Sequence, residues 1–389
     1  MITPRRAVLR LGVTQTLGYA SSAYLPAVLA APMAKDLGLA TPTVFAAYAG
    51  ALLVTVALGP AIGRRVDRHG ARGVLVLSNL VLAAGLIALA LAQGAWMLFG
   101  AWALIGLGMA LGLYDVAFAG LVGWFGAAAR GPITGVTLIA GFASTIGWPL
   151  TAFVADHHGW RAACLLWGGA QLLLALPLHL RLPAGPGEAN EAADRPTLVH
   201  TDPPLSAVLL LASAFAAMSA VGAALGAHLP LLLKGLGATP GQALAAAALV
   251  GPAQVLARLV EWGLARRLHP LNAARIAVVL LPIGAGLAVV SGPAGLMALA
   301  ALYGAGNGLF TIARGSAPLA LFGPGGYGAR LGLIAMPGRL AQALAPFAFA
   351  LAMGVSASAA LAAACLACLT ALALLAPLST RPAKSARPA

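Results

Sequence analysis

Gly63-Arg64-Arg65-Val66-Asp67-Arg68-His69-Gly70-Ala71-Arg72 is a dense polar interruption between two apolar runs, 42–62 and 73–92. Each run has about the 20 residues that a helix needs to cross a hydrocarbon core ~30 Å thick. The polar decade therefore reads as a short connection, set where the chain leaves one crossing and enters the next.

Working outward, the same alternation gives spans near 11–32, 42–62, 73–92, 95–123, 131–155 and 161–181, then 206–232, 240–262, 273–290, 295–320, 330–352 and 357–378. The 389 residues are 61% hydrophobic and 8% charged, with mean hydropathy +0.94. Soluble domains run at about 45–50% apolar and about 25% charged. An all-α membrane protein of twelve transmembrane helices is predicted. Met1 to Arg10 leads straight into a span too long for a signal-peptide core, so the first helix is expected to stay in place.

The formal charge is +14, with 23 Lys and Arg residues. Seventeen of these fall in the termini and the even-numbered connections, among them Arg5, Arg6, Arg10, Arg64, Arg65, Arg68 and Arg72; Lys35, Arg161 and Lys234 fall on the other side. This bias predicts a bacterial inner-membrane protein with both termini cytoplasmic. The basic residues are dispersed and carry no interleaved aromatics, which argues against a nucleic-acid partner. Cys164, Cys365 and Cys368 sit in apolar surroundings and read as packing residues. Gly304-x-Gly306-x-Gly308 follows no strand, no Walker lysine follows a glycine-rich loop, and Asp156-His157-His158 leads through Gly159 into an ordinary connection, so no cofactor or metal is expected.

The two halves resemble each other. Tyr24-Leu25-Pro26 answers to His228-Leu229-Pro230, Gly59-Pro60 to Gly251-Pro252, and Gly106-x-Gly108 to Gly304-x-Gly306, while Gly135, Gly141 and Pro149 recur at one constant offset as Gly332, Gly338 and Pro346. Between them lies a polar, proline-rich stretch. The expected organisation is a six-helix bundle over 1–181, a cytoplasmic linker over 182–205, a second six-helix bundle over 206–378 and a cytoplasmic tail over 379–389. Two repeats rocking about a midplane site give alternating access.

On its residues alone, the stretch from Gly63 to Arg72 has glycines that permit a tight turn and an acid, Asp67, able to pair with cations or cap a helix N-terminus. It resembles the G-x-x-x-D-R-x-G-x-R loop of the major facilitator superfamily, in the position that family uses. The resemblance implies that family's fold of two pseudo-symmetric six-helix bundles, a gating role for Gly63, Asp67, Arg68, Gly70 and Arg72, and a central cavity lined by spans 1, 4, 7 and 10. In the second half the pattern has decayed to Arg258-x-x-Glu261, where an ion pair is expected. Gly141-x5-Gly147-Trp148-Pro149 only partly resembles the family's antiporter motif and leaves the direction of transport open.

An ionisable group inside a span costs about 2.5–3.5 kcal/mol on insertion scales, and so marks a functional candidate. Asp115 follows Tyr114 in span 4; Arg314 lies in span 10, with Asn307 and Thr311 on the same general face. Arg314 offers a fork for a carboxylate or oxyanion and Asp115 can carry a proton; alternatively the two neutralise each other. Gln15, Tyr19 and Tyr24 in span 1 and Arg339 in span 11 are further candidates to line the site. The expected function is a monomeric, lipid-embedded carrier of a small solute, with an anion favoured by Arg314 and the proton as coupling ion. Drug or toxic-compound efflux by an antiporter is the alternative within this class. A non-transporting sensor or scaffold would need a soluble domain, and an enzyme would need an acid, base or metal constellation at one depth; neither is legible.

Overall fold

The computed structural model describes residues 2–185, 204–264 and 267–378, and every regular element among them is helical. In chain order these are α1 (Pro4–Ala20), α2 (Leu25–Asp36), α3 (Thr41–His69), α4 (Ala71–Ala90), α5 (Ala95–Gly112), α6 (Tyr114–Phe125), α7 (Arg130–Ala140), α8 (Ala143–Ala170) and α9 (Leu176–Leu180), then α10 (Leu205–Gly235), α11 (Pro240–Leu264), α12 (Pro270–Phe322), α13 (Tyr327–Val355) and α14 (Ala357–Leu375). A 3-10 turn over Gly126–Ala129 leads into α7, and a π-helical turn over Gln171–Ala175 leads into α9.

By length and composition, 8 helical runs among the described residues suffice to cross a membrane, including Ala95–Leu180 of 86 residues and α12 of 53. At 1.5 Å per residue, either of these two, if unbroken, would exceed twice the ~30 Å core. Both are broken. Gly159 (φ 83°, ψ 160°) interrupts α8 and Gly292 (φ 55°, ψ −131°) interrupts α12, in backbone conformations that cost little only for glycine. The arrangement agrees with the twelve-span layout. Large apolar side chains such as Trp96, Leu173 and Val289 stand outward, as lipid contact requires.

The polar decade is not the loop that its composition suggests. α3 continues through His69, and the connection shrinks to Gly70 (φ 80°). Helix satisfies this backbone while Arg64, Arg65 and Arg68 stand exposed and Gly63 and Val66 face inward, so charge alone does not end the element.

The chain divides into two compact units: Met1–His200 with Pro324–Leu340, and Thr201–Gly323 with Ala341–Ala389. The first turns of α13 thus belong with the first unit. Most of the expected linker, 186–203, and the tail 379–389 lie outside the described residues. Within each unit the repeated glycines do equivalent work. A β-carbon on Gly106 would lie 2.5 Å from the Ala51 carbonyl of α3, and one on Gly108 would press on Leu82 of α4. In the second unit Gly304 meets Val250 of α11 at 2.5 Å and Gly306 meets Ala277 of α12 at 2.7 Å. Small residues here bring helix backbones together where lipid offers no hydrophobic drive.

The repeat is less faithful in its breaks. Span 1 stops between α1 and α2, span 4 at Leu113 and span 5 between α7 and α8, whereas α10, the part of α12 beyond Gly292, and α13 run on. Proline does not explain the first difference, since Pro230 sits inside α10 as Pro26 sits at the start of α2. The hydroxyls of Ser21 and Ser22 both donate to the Gly18 carbonyl, at 3.3 and 2.5 Å, and compete with the backbone ladder. No hydroxyl occupies the corresponding positions, Leu225 and Gly226.

Candidate functional site

Asp67 lies near the end of α3. Its two carboxylate oxygens accept hydrogen bonds from the Gly328 and Ala329 amides, each at 2.8 Å. These N–H groups belong to the first turn of α13, which has no intrahelical acceptors for them, and the helix dipole adds to the attraction. The approach depends on missing side chains. Gly59-x-x-x-Gly63 on α3 meets Gly328-x-x-x-Gly332 on α13: a β-carbon on Gly63 would collide with the Gly328 carbonyl, and one on Gly332 would lie 2.7 Å from the Gly59 carbonyl. Gly70 ends α3, Arg68 is exposed, and Arg72 is half-buried in the first turn of α4.

Two turns further along α13, Arg339 donates through Nη2 to Asp115, and through Nη1 to the Thr55 carbonyl of α3 at 2.7 Å. The side chains of the ion pair are only 13% and 12% exposed. A β-carbon on Gly59 would sit 2.8 Å from Nη1, so the guanidinium occupies space that this glycine leaves free. Asp115 lies in the first turn of α6, where the positive end of the helix dipole favours its charge. That turn exists because the backbone is extended at Leu113 (φ −81°, ψ −172°). Gln15 occupies the break: its Nε2 donates to the Gly112 carbonyl at 2.7 Å, while its buried Oε1 has no hydrogen-bond partner.

Aromatic rings continue from the pair. Tyr114 stacks on Phe118 with centroids 5.0 Å apart and meets Tyr19 at 4.7 Å; Tyr19 lies 6.1 Å from Tyr24, and Tyr24 lies 5.8 Å from Trp148. Elsewhere the first unit keeps buried polar contacts that composition did not suggest. His179 is 2.8 Å from the Thr14 hydroxyl through Nε2 and 2.8 Å from the Asn79 amide through Nδ1. Gln171, in the π-helical turn, donates to the Ser21 hydroxyl at 2.7 Å.

The other candidates fall in the second unit. Asn307, Thr311 and Arg314 are half-buried on α12; the Thr311 hydroxyl donates to the Asn307 carbonyl at 2.9 Å and accepts from Arg258 at 3.5 Å. Arg258 and Glu261 are both buried in α11. Asn307 borders a small void of about 10 Å³, where the Tyr303 hydroxyl donates to the Gly222 carbonyl at 3.1 Å. Asp115, Arg339, Tyr114, Tyr19, Tyr24 and Gln15 are thus gathered in one unit, and Asn307, Thr311 and Arg314 in the other. What sequence reasoning missed is that Arg339 meets Asp115, and that the Thr55 carbonyl and the Gly328 and Ala329 amides take part. The spacing of the Gly59, Gly63, Gly328 and Gly332 pairs was the available signal.

A helical chain with apolar spans, buried charges and close small-residue crossings belongs to the general class of polytopic membrane proteins. The family model of the Major Facilitator Superfamily matches residues 11–346, most of the chain, which therefore belongs to that family. A Mycolicibacterium smegmatis protein described as an MFS-type efflux pump is 32% identical over 203 residues, 49% of this chain and 46% of the relative. A 38 kDa protein of the 23S RNA operon of Thermoproteus tenax is 34% identical over 154 residues, 39% of this chain and 40% of the relative. The chain thus aligns with under half the length of either curated relative. Among solved structures, the human organic anion transporter MFSD10 superposes with a TM-score of 0.74 at 18% identity, covering 96% of this chain and 100% of that one. The proton:xylose symporter XylE, bound to 6-bromo-6-deoxy-D-glucose, gives 0.73 at 15%, covering 97% of each. At these identities the likeness is one of fold.

Proposed function

We propose that this Major Facilitator transporter is a secondary active carrier that moves a small solute, preferentially an anion, across the bacterial inner membrane by alternating access, with the proton as coupling ion. The observation that carries the reading is the Asp115–Arg339 pair, two charges held nearly out of water within apolar helices. Such a placement costs several kcal/mol and is retained where charge has to be handled at depth. In the first unit Arg339 supplies the fork for the solute's anionic group and Asp115 the acid able to exchange a proton; in the second unit Arg314, in span 10, is the candidate cation. Tyr19, Tyr24, Tyr114 and Gln15 in the first unit, and Asn307 and Thr311 in the second, are the groups able to offer a solute hydrogen bonds and ring faces. The crossing of α3 on α13, tied by Asp67, acts as the cytoplasmic gate, with Arg68, Gly70 and Arg72 completing the motif.

The test is uptake into proteoliposomes under an imposed pH gradient, screened over organic anions, oxyanions and organic cations. Gradient-driven movement that Asp115→Asn uncouples from pH and Arg339→Gln abolishes is the expected result. Wild-type rates and pH dependence in both variants would remove the pair from the mechanism. Export of a toxic compound is the second reading, favoured by the M. smegmatis relative's description as an efflux pump. Whole cells accumulating less of a dye when the protein is expressed, with no uptake of anions, would select it.

A further inference from the structure

The N-terminal end of span 1 meets the last turn of span 6. Arg10 donates through Nη1 to the Arg181 carbonyl, and one turn deeper the His179 ring lies 2.8 Å from the Thr14 hydroxyl. The guanidinium of one arginine is thus held at the backbone of another. Arg6 stands one turn before Arg10, in the first turn of α1, where the positive end of the helix dipole disfavours a cation. One cation suits the carbonyl end of α9; several at this corner need an anion. The elements packed on α9 supply none: α1, α4 and residues 171–185 hold no aspartate or glutamate, and α4 adds Arg72. Glu188, Glu191 and Asp194 follow in the sequence, outside the described residues.

Next to these cations the surface turns apolar. Leu9 and Val13 recur with Arg6 and Arg10 at three- and four-residue spacing on one face of α1, and both stand exposed. On span 6, Leu173, Leu174 and Leu180 stand outward and Arg181 is exposed. A soluble anion gains from the arginines and nothing from the leucines. A lipid gains from both, since a phosphodiester fits the arginine fork and an acyl chain covers the apolar stripe. The bias that orients the chain asks for cations at this end of the spans, but not for their gathering at one corner without an acid. A zwitterionic headgroup brings its own cation to that corner, so the charge selects an anionic one.

We propose that these ends of spans 1 and 6 in the first unit form a binding site for an anionic phospholipid, its phosphate held by Arg6, Arg10 and Arg181 and an acyl chain lying along Leu9, Val13, Leu173 and Leu180. The probe is dioleoylphosphatidylglycerol, titrated onto the full chain in detergent and read by native mass spectrometry, with thermal unfolding of the same samples. Wild type is expected to retain it in preference to dioleoylphosphatidylcholine, and the Tm to rise with its concentration. Arg6→Gln combined with Arg181→Gln should weaken retention about thirtyfold, at about fivefold for each arginine, and abolish the rise in Tm. Arg64→Gln combined with Arg65→Gln removes the same charge from exposed positions near the end of α3 and should leave retention nearly unchanged. Arg6→Glu separates binding from folding: an acid in the first turn favours the helix, so the lipid-free protein should melt no lower while retention is lost. Equal losses in the two double variants would reduce the effect to general surface charge and overturn the inference, as would retention that survives Arg6→Glu. Equal retention of dioleoylphosphatidylcholine, or displacement of the lipid by millimolar inorganic phosphate, overturns it too. So does retention that appears only once Glu188, Glu191 and Asp194 are changed to their amides, which would make this chain's own acids the occupant.

Discussion

At the scale of single residues, two glycines ten positions apart have opposite needs. Gly63 faces the Gly328 carbonyl with no room for a β-carbon, whereas Gly73, in α4, has open space around it. Gly63→Ala is expected to cost about 1–3 kcal/mol by overpacking against backbone. Gly73→Ala should be neutral or stabilising by about 0.5–1 kcal/mol, because alanine loses less entropy in a helix. Thermal unfolding of the two purified variants in one detergent makes the comparison; equal shifts would contradict the crossing. Helix periodicity in the sequence points to Asp115 and Arg339 as charges at depth, but Asp115 meets Arg339 across 224 positions. Arg314 sits at a nearly equivalent place in the repeat, and a single chain says which face of a helix is polar, not which other helix that face meets.

At the scale of elements, the helix ends are tied by side chains from other helices. Arg275 of α12 donates through Nη2 to the carbonyls of Leu375 at 2.9 Å, Ala376 at 3.1 Å and Leu378 at 2.8 Å, closing the end of α14. A cation at a helix C-terminus contributes about 0.3–1 kcal/mol, up to about 2 when partly buried. Arg275→Ala should therefore speed hydrogen exchange of the amides at the end of α14 and leave those of α4 unchanged. At another helix end, Arg161 donates to Asp36 and to the Ala92 carbonyl, and the Trp160 indole donates to Asp36 at 3.2 Å. The hydrogen bond from Arg161, then that from Trp160, holds the Asp36 carboxyl below the usual carboxylate range. A group whose folded value is depressed contributes stability above its ordinary value of ~3.9 and loses it as pH falls through the folded value. Wild type should therefore outlast Asp36→Asn in thermal unfolding near neutrality, and the gap should close below about pH 4. Apolar runs revealed these helices, but not their joints, because hydroxyls bonding to a carbonyl one turn back, as Ser22 does to Gly18, leave no mark on hydropathy.

At the scale of the whole molecule, the distribution of arginine and lysine predicts which ends share a compartment. Fluorescent-protein fusions at both termini should light up, and alkaline phosphatase fused at either should stay inactive, if both are cytoplasmic. With that orientation, His158→Cys, beside the Gly159 turn, should react with an impermeant maleimide added on the side opposite the termini. The membrane architecture was legible because twelve apolar runs are physically demanding and leave few alternatives. The joints at Ser21–Tyr24, Leu113 and Gly141–Phe142 were not, and they fall in the first half only, while the repeats of those spans run on unbroken. A straight helix carries a push along its axis as a rod does; a jointed one lets its two segments pivot separately. Halves that resemble each other as text are therefore unlike as machine parts, one with segmented spans and one with continuous ones. A chain made from two copies of the first half would carry such joints in both halves.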